Sequence, residues 1–403
     1  MAIHARQLEI FRTALPMRSF EHAAASRNLA EAVLVRVTFS DGVAGWGETL
    51  PRPYVTGESL DSVAADLQSA IWPAVRALDF SGVEADIAAG LGAIPTADAA
   101  GRCMNAAACA AELACVDAHL RRRGLVSPAG LIAAGAVGAL DGSEAAVPQP
   151  AGRIFARVTG VLGSSDPART AKRLRLMWWF GLRDFKLKLG LGADTDAANL
   201  AVVRRRIGRA IAAGRATLRV DVNGGWTAEE TPARVAELAS AGVCAVEQPV
   251  FGPAGELVEL SRRCELPLIA DESLVTSRDA EALLAEPEKV WWNVRISKNG
   301  GLCRAGRMIA RASRAGATVV LGCMVGETGI LSAAQRRLLQ AVGRGVRFVE
   351  GNYGRWLLGG DVVSRSPRFG FGGRMKVLGR AGLGVEVCEQ RVRRCGRPIA
   401  TLG

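Results

Sequence analysis

The 403-residue chain contains no run of about eighteen apolar residues, so no membrane-spanning helix is expected. Its first stretch, MAIHARQLEIFRTALPM, lacks the long apolar core that a secretory signal carries ahead of its cleavage site. No C-x-x-C pair occurs, and the nine cysteines are scattered and odd in number. That usage points to reduced, mostly buried thiols in a cytoplasmic protein. Cys103, Cys109 and Cys115 recur every six residues, which spreads them over different helix faces and argues against a metal site there. Aromatics are 5% of the chain, with two tyrosines, which leaves no stacking platform for nucleic acid. The net charge of +12 is therefore not taken as a nucleic-acid footprint. Its short arginine clusters, at 121–123 and 204–206, fall in helical patterns and read as solvated faces. The excess charge favours small anionic substrates instead.

What is present is an ordinary globular balance, 49% hydrophobic and 22% charged. The length suffices for a barrel of roughly 200 to 250 residues and a second domain. The chain is organised around residues 185–298, approximately. Four short apolar runs there end in usable charged groups: DFKLKLG, LRVDVNGG, CAVEQP and PLIADES. A fifth, WWNVRISKNGG, carries Lys298. Asp221 to Glu247 is 26 residues, Glu247 to Asp271 is 24, and Asp271 to Lys298 is 27. One strand, turn, crossover helix and return turn take about that length. Each charged group thus sits one strand–helix unit after the last, at the carboxyl end of its strand. In a closed parallel barrel those ends share one face, where active sites lie. The spacing predicts Lys186, Lys188, Asp221, Glu247, Asp271 and Lys298 around one mouth.

Along the chain, residues 7–15 and 32–39 alternate as strands, and Asp41-Gly42 reads as a hairpin turn. Residues 16–28 and 51–59 read as mobile loops. Residues 60–123 are Ala-rich with helical periodicity and stop at Gly124. Residues 127–153, rich in Gly, Ala and Pro, mark a boundary. A first barrel strand is expected at 153–160, followed by a helix capped by Asp166. Six further strands lead to an eighth at 347–352, and the tail returns to the first domain. The expected division is 1–150, an α+β capping domain; 151–365, the barrel; and 366–403, the returning tail.

At these motifs the chain resembles the enolase superfamily, in its mandelate racemase/muconate lactonizing enzyme subgroup. The motifs are K-L-K at 186–188, D-V-N at 221–223, E-Q-P at 247–249, A-D-E-S at 270–273 and S-K-N-G-G at 297–301. GWGE at 45–48 and AGLGVEV at 381–387 also fit, so the likeness spans nearly the whole chain. It implies an α/β fold, a modified TIM barrel, (β/α)7β, with an N-terminal α+β capping domain completed by the tail.

The resemblance implies an isomerase that removes the proton α to a substrate carboxylate. Enolase-superfamily sites pair a lysine or histidine base with Mg²⁺. Three carboxylates without histidine suit a hard cation, and His4, His22 and His119 all lie outside the expected barrel. Mg²⁺ is expected on Asp221, Glu247 and Asp271, with Asn223 and Glu272 supporting those ligands. By the family pattern Lys188 is the base, and Lys186 tunes it and contacts the substrate carboxylate. Lys298 is expected across the substrate, either stabilising the enolate by charge or acting as a second acid/base. Phe20, His22, Arg52, Tyr54, Glu327 and Glu350 are the candidates for substrate contact. Glu327 alternatively partners Lys298. Dipeptide epimerases often carry D-x-D on the eighth strand; here that place reads Glu350-Gly351-Asn352. Cycloisomerisation and racemisation or epimerisation are the leading reactions. A dehydratase of the o-succinylbenzoate synthase kind and an inactive binding barrel are the alternatives. The expected partner is a small carboxylate, with neither nucleic acid nor membrane, in a homo-oligomer.

Overall fold

The computed structural model describes residues 1–22, 25–137, 153–163, 165–190 and 192–403, with the side chains of 19–22, 25–27 and 135–137 outside the description. An antiparallel sheet opens the chain: β1 (Ala5–His22), β2 (Ala25–Phe39) and β3 (Ala44–Thr49). The loop expected at 16–28 is instead the far end of the β1–β2 hairpin, whose pairing reaches His22 and Ala25. The loop expected at 51–59 holds a short helix, Pro53–Thr56, and Ser59 then caps the next helix. A strand at Gly396–Leu402 pairs with the outer edge of β1, so the tail does return to this sheet.

The helix Asn105–Arg122 packs on β3 and is buried from Asn105 to Leu120. Its Ala-rich sequence matches that burial, and the buried Glu112 and Asp117 accept from the backbone of segments packed on it. The GWGE motif explains the closeness. A Cβ on Gly45 would lie 2.2 Å from Ala114 O, and one on Gly47 1.9 Å from Ala110 O. The two glycines alternate on one face of β3 and let helix backbone touch strand backbone. Trp46 and Glu48 point the other way.

Eight parallel strands follow: β4 (Gly160–Leu162), β5 (Asp184–Lys188), β6 (Thr217–Asp221), β7 (Ala245–Glu247), β8 (Leu268–Ala270), β9 (Val290–Val294), β10 (Val319–Leu321) and β11 (Phe348–Val349). A parallel bridge from Val158 to Val349 joins the two edges. The first strand therefore begins later than the expected 153–160. Only Val158 and the residues from Gly160 onward find a ladder partner, although 153–157 has strand-like composition. Asp166 caps the next helix, accepting from Ala168 N at 2.8 Å. The expected domain boundary falls largely on residues outside the description.

Alternation along the strands sorts the barrel interior. Ala245, Ile269, Trp291, Val320 and Phe348 form an apolar cluster at its lower level. Two residues further along each strand, Glu247, Asp271, Asn293, Gly322 and Glu350 take the same inward parity. The tail motif AGLGVEV wraps the long helix: Leu383 N donates to Asp117 Oδ1 at 2.7 Å beside Gly382, whose φ is 74°.

Candidate active site

The carboxyl ends of the strands close over a charged layer. Asp221 and Glu247 are direct register partners on β6 and β7, and Lys188 pairs with Asp221 from β5. Asp221, Glu247 and Asp271 have no exposed surface. The Lys186 ammonium stands 3.0 Å from Glu247, 3.2 Å from Asp221 and 2.6 Å from Glu350. Lys188 Nζ donates to Asp221 Oδ2 at 3.1 Å and Asn223 Oδ1 at 2.8 Å. Burial works to neutralise Asp221, but Lys188 and Lys186 outweigh it and hold its carboxyl well below the usual range. Glu247 is raised by burial, with Lys186 opposing.

Above this layer lies a cavity of about 410 Å³. Lys186, Lys188, Asn223, Glu272, Tyr54, Arg52, Glu327 and Glu350 line it. So does Arg295, which the sequence reading left out. An apolar wing extends the cavity along Met177, Phe180, Tyr353, Trp356 and Phe369. The rings in that wing pack edge-on and tilted, Trp356 4.6 Å from Phe369 and Tyr353 5.2 Å from it.

Two expectations change here. Lys298 does not face the cavity. It is fully enclosed, and its ammonium donates to Asp271 O (2.6 Å), Asp271 Oδ1 (2.9 Å) and Asn293 O (2.8 Å). The reason is position: β9 ends at Val294, and Lys298 lies in the turn beyond it. The S-K-N-G-G segment instead joins the two domains. Ser297 Oγ lies 2.8 Å from Thr49 Oγ1, and a Cβ on Gly301 would strike Glu112. Glu350, expected as a substrate contact, is engaged by Lys186 and by Arg219 at 3.0 Å. His22 and Phe20 fall among the side chains outside the description. Of the other histidines, His119 is buried, and burial lowers its pKa to about 4.

Arg219 and Asn293 join the site beyond the residues expected, and Gln248, quoted within E-Q-P without a role, acquires one. Gln248 Oε1 accepts from Asp271 N at 2.9 Å and Ser273 N at 3.2 Å, which ties β7 to the end of β8. Asn293 Nδ2 donates to Glu247 Oε1 at 2.8 Å. Asn223, Gln248 and Asn352 are the non-glycine residues with positive φ among those described, and all follow strand ends at this mouth. Such strained backbone gathers at functional sites. Inward parity alone points to Arg295, which follows Trp291 and Asn293 at intervals of two.

The enolase C-terminal domain-like family model matches residues 169–391. The chain belongs to the enolase superfamily. Among its relatives is L-Ala-D/L-Glu epimerase of Escherichia coli (strain K12), 31% identical over 82% of this chain and 89% of that one. Muconate cycloisomerase 1 of Pseudomonas putida is 28% identical over 91% and 90%. A crystal structure of muconate lactonizing enzyme from Pseudomonas fluorescens, complexed with muconolactone, superposes with a TM-score of 0.81 at 26% identity, covering 98% of this chain and 99% of that one. These relatives place the chain in the mandelate racemase/muconate lactonizing enzyme branch, as an enzyme of the isomerase class.

Enzymes of this branch are metal-dependent. Among the described residues no three His, Cys, Asp or Glu side chains are gathered closely enough to share an ion as they stand. Nitrogen cations occupy the gaps: Lys186 between Asp221 and Glu247, and Arg295 against Asp271 and 4.0 Å from Glu247. The donor set nevertheless fits a hard divalent ion: carboxylates ending three successive strands, fully enclosed, all offering oxygen. Glu272 Oε2 adds a buried oxygen without a hydrogen-bond partner in the same wall.

Proposed function

We propose that the protein is a Mg²⁺-dependent isomerase acting on a carboxylate that carries an apolar substituent. Lys188 carries the reading. Of Lys186 and Lys188, which both line the cavity, it is the more exposed, its side chain 11% accessible against 3%. Its amine, when neutral, takes the proton α to the substrate carboxylate. Asn223 and Asp221 fix the position of that amine from one side. Lys186 is held lower, among Glu247, Glu350 and Asp221, and acts by charge.

Asp221, Glu247 and Asp271 would hold the metal, with Asn293 orienting Glu247. A bound divalent cation supplies the charge that makes an enediolate accessible at neutral pH. Arg52, Arg173 and Arg295 give the cavity a cationic side suited to an anionic substrate. Phe180, Trp356 and Phe369 offer the opposite surface, where an aromatic or branched aliphatic group loses water on binding. A substrate ammonium finds no free acid on the eighth strand, because Glu350 is already paired twice.

The test is α-proton exchange in D₂O with Mg²⁺, read by mass spectrometry. The panel is N-acetyl and N-succinyl amino acids with apolar side chains, hydrophobic dipeptides, and muconolactone. Exchange or ring opening is expected for an apolar member and is lost in Lys188→Ala. Exchange at the wild-type rate in that variant removes Lys188 as the base. No reaction across the panel removes the reading.

A further inference from the structure

We propose that the site holds a single proton-carrying amine, Lys188, and that Arg295, facing it across the barrel, binds substrate oxygen without exchanging a proton. The inference rests on the function just proposed and narrows its reaction class.

The geometry begins with strand order. β5 and β9 are the second and sixth of eight strands, so their carboxyl ends face one another across the mouth. Lys188 follows Lys186 on inward parity, and Arg295 follows Asn293. Both line the same cavity, as does Lys186, whose ammonium is held by Asp221, Glu247 and Glu350. Lys298 does not reach it: an ammonium has three donors, and all three of its own are bound to Asp271 and Asn293. The chain has six lysines, at 172, 186, 188, 289, 298 and 376, among 51 cationic side chains. In this chain the position facing Lys188 is filled by arginine.

A guanidinium is planar, offers five donors and does not deprotonate in proteins. It grips a carboxylate or enediolate oxygen in fixed geometry but cannot accept a proton from carbon. Proton transfer by an amine is then confined to one face. Lys188 takes the Cα proton, and the C–H electron pair enters the enediolate. The same ammonium returns the proton to Cα on that face, restoring the starting configuration. In a lactone with its ring oxygen on Cβ, the enediolate pair forms the Cα–Cβ double bond while the C–O bond breaks with its own pair. The ring opens to an unsaturated acid, Lys188 retains the proton, and the reverse is cyclisation. Neither route needs an oxidant or reductant. The reaction class that fits is one-face addition–elimination, as in cycloisomerisation, and not inversion of a stereocentre.

The two enantiomers of N-succinylphenylalanine and of N-succinylleucine, with muconolactone, in D₂O with Mg²⁺ test this by NMR. The expected result is deuterium at Cα of one enantiomer only, with configuration retained. Arg295→Lys, which supplies a second amine, is expected to raise exchange of the other enantiomer about 100-fold or more. Exchange of both enantiomers by the wild-type protein overturns the inference and leaves the proposed function standing. Loss of that second exchange in Glu327→Gln would name the group responsible. No reaction of any probe overturns both.

A second readout needs no turnover. Reductive methylation of the metal-free protein, mapped by mass spectrometry, is expected to modify Lys188 and spare Lys298. Modification of Lys298 at the Lys188 rate overturns the assignment.

Discussion

The Lys186 ammonium lies 2.6 Å from Glu350 Oε2, which ties the second barrel strand to the residue closing the eighth. Burial works to strip the charge from Lys186, yet Glu247, Glu350 and Asp221 outweigh it and hold the amine above its ordinary range. Burial likewise works against Glu350, and Lys186 and Arg219 outweigh it. Removing the acid takes the nearest carboxylate from two enclosed cations, leaving Lys186 with Glu247 and Asp221 and Arg219 with Glu247 at 3.9 Å. Glu350→Ala is expected to destabilise the fold by about 3 to 5 kcal/mol, read from urea unfolding. A change below about 1 kcal/mol would mean the pair is not enclosed.

Metal affinity separates ligand from bystander. Loss of a group that merely supports a ligand lowers affinity about 10- to 100-fold. Asp221→Asn removes a ligand charge itself and is expected to exceed that range in a calorimetric Mg²⁺ titration. An unchanged titration would remove Asp221 from the site.

Lys298 is an enclosed structural donor in this arrangement, although burial and the neighbouring Arg295 press its amine well below the ordinary lysine range. Lys298→Met leaves Asp271 and two carbonyls without their enclosed donor. A stability loss of about 3 to 5 kcal/mol is expected in denaturant melts. Under stabilising conditions the variant should still exchange the α-proton of a substrate. A folded Lys298→Met protein with no exchange would put Lys298 back in the chemistry.

Glu48 gives a pH signature. Burial raises its carboxyl from 4.5 to about 7, against the hydrogen bonds it accepts from Thr328 and Leu331. Below the unfolded value both states hold the proton. Between 4.5 and about 7 the unfolded chain releases it while the folded chain keeps it. Stability should therefore fall as pH rises through this window, by up to about 1.4 kcal/mol per unit. Glu48→Gln cannot titrate, so its melting temperature should show a shallower slope over the same window. Equal slopes would exclude Glu48 as the source.

The glycines of GWGE are a packing device. A methyl group at Gly47 meets Ala110 O at 1.9 Å, so the long helix must move off β3. Gly47→Ala is expected to destabilise by about 1 to 3 kcal/mol or more. Gly42→Ala meets nothing within 4 Å but sits at a φ of 86°, so its penalty is backbone strain alone. Thermal melts of the two variants should differ accordingly.

The barrel was legible because a strand–helix unit has a nearly fixed length. Asp221, Glu247 and Asp271 fall at matching points of successive units, and spacing alone brings them to one face. The K-L-K run was legible for the same reason: strand alternation turns both lysines inward. Loops were less so. Residues 16–28 have loop composition, yet 20–22 pair with 25–27 across a hairpin that composition does not report.

The amino-acid sequence by itself determined the strand order, the face on which the acids gather and the family. Those follow from periodicities of two residues and of about twenty-five, which are properties of the backbone. Only the tertiary structure decided which cation meets the substrate. Lys298 lies beyond the strand end, where alternation no longer holds, and the turn carries its ammonium beneath the acids while Arg295 rises into the cavity. It also decided that Glu350 is paired, because its partners come from strands more than 130 residues away, and no local pattern encodes that meeting.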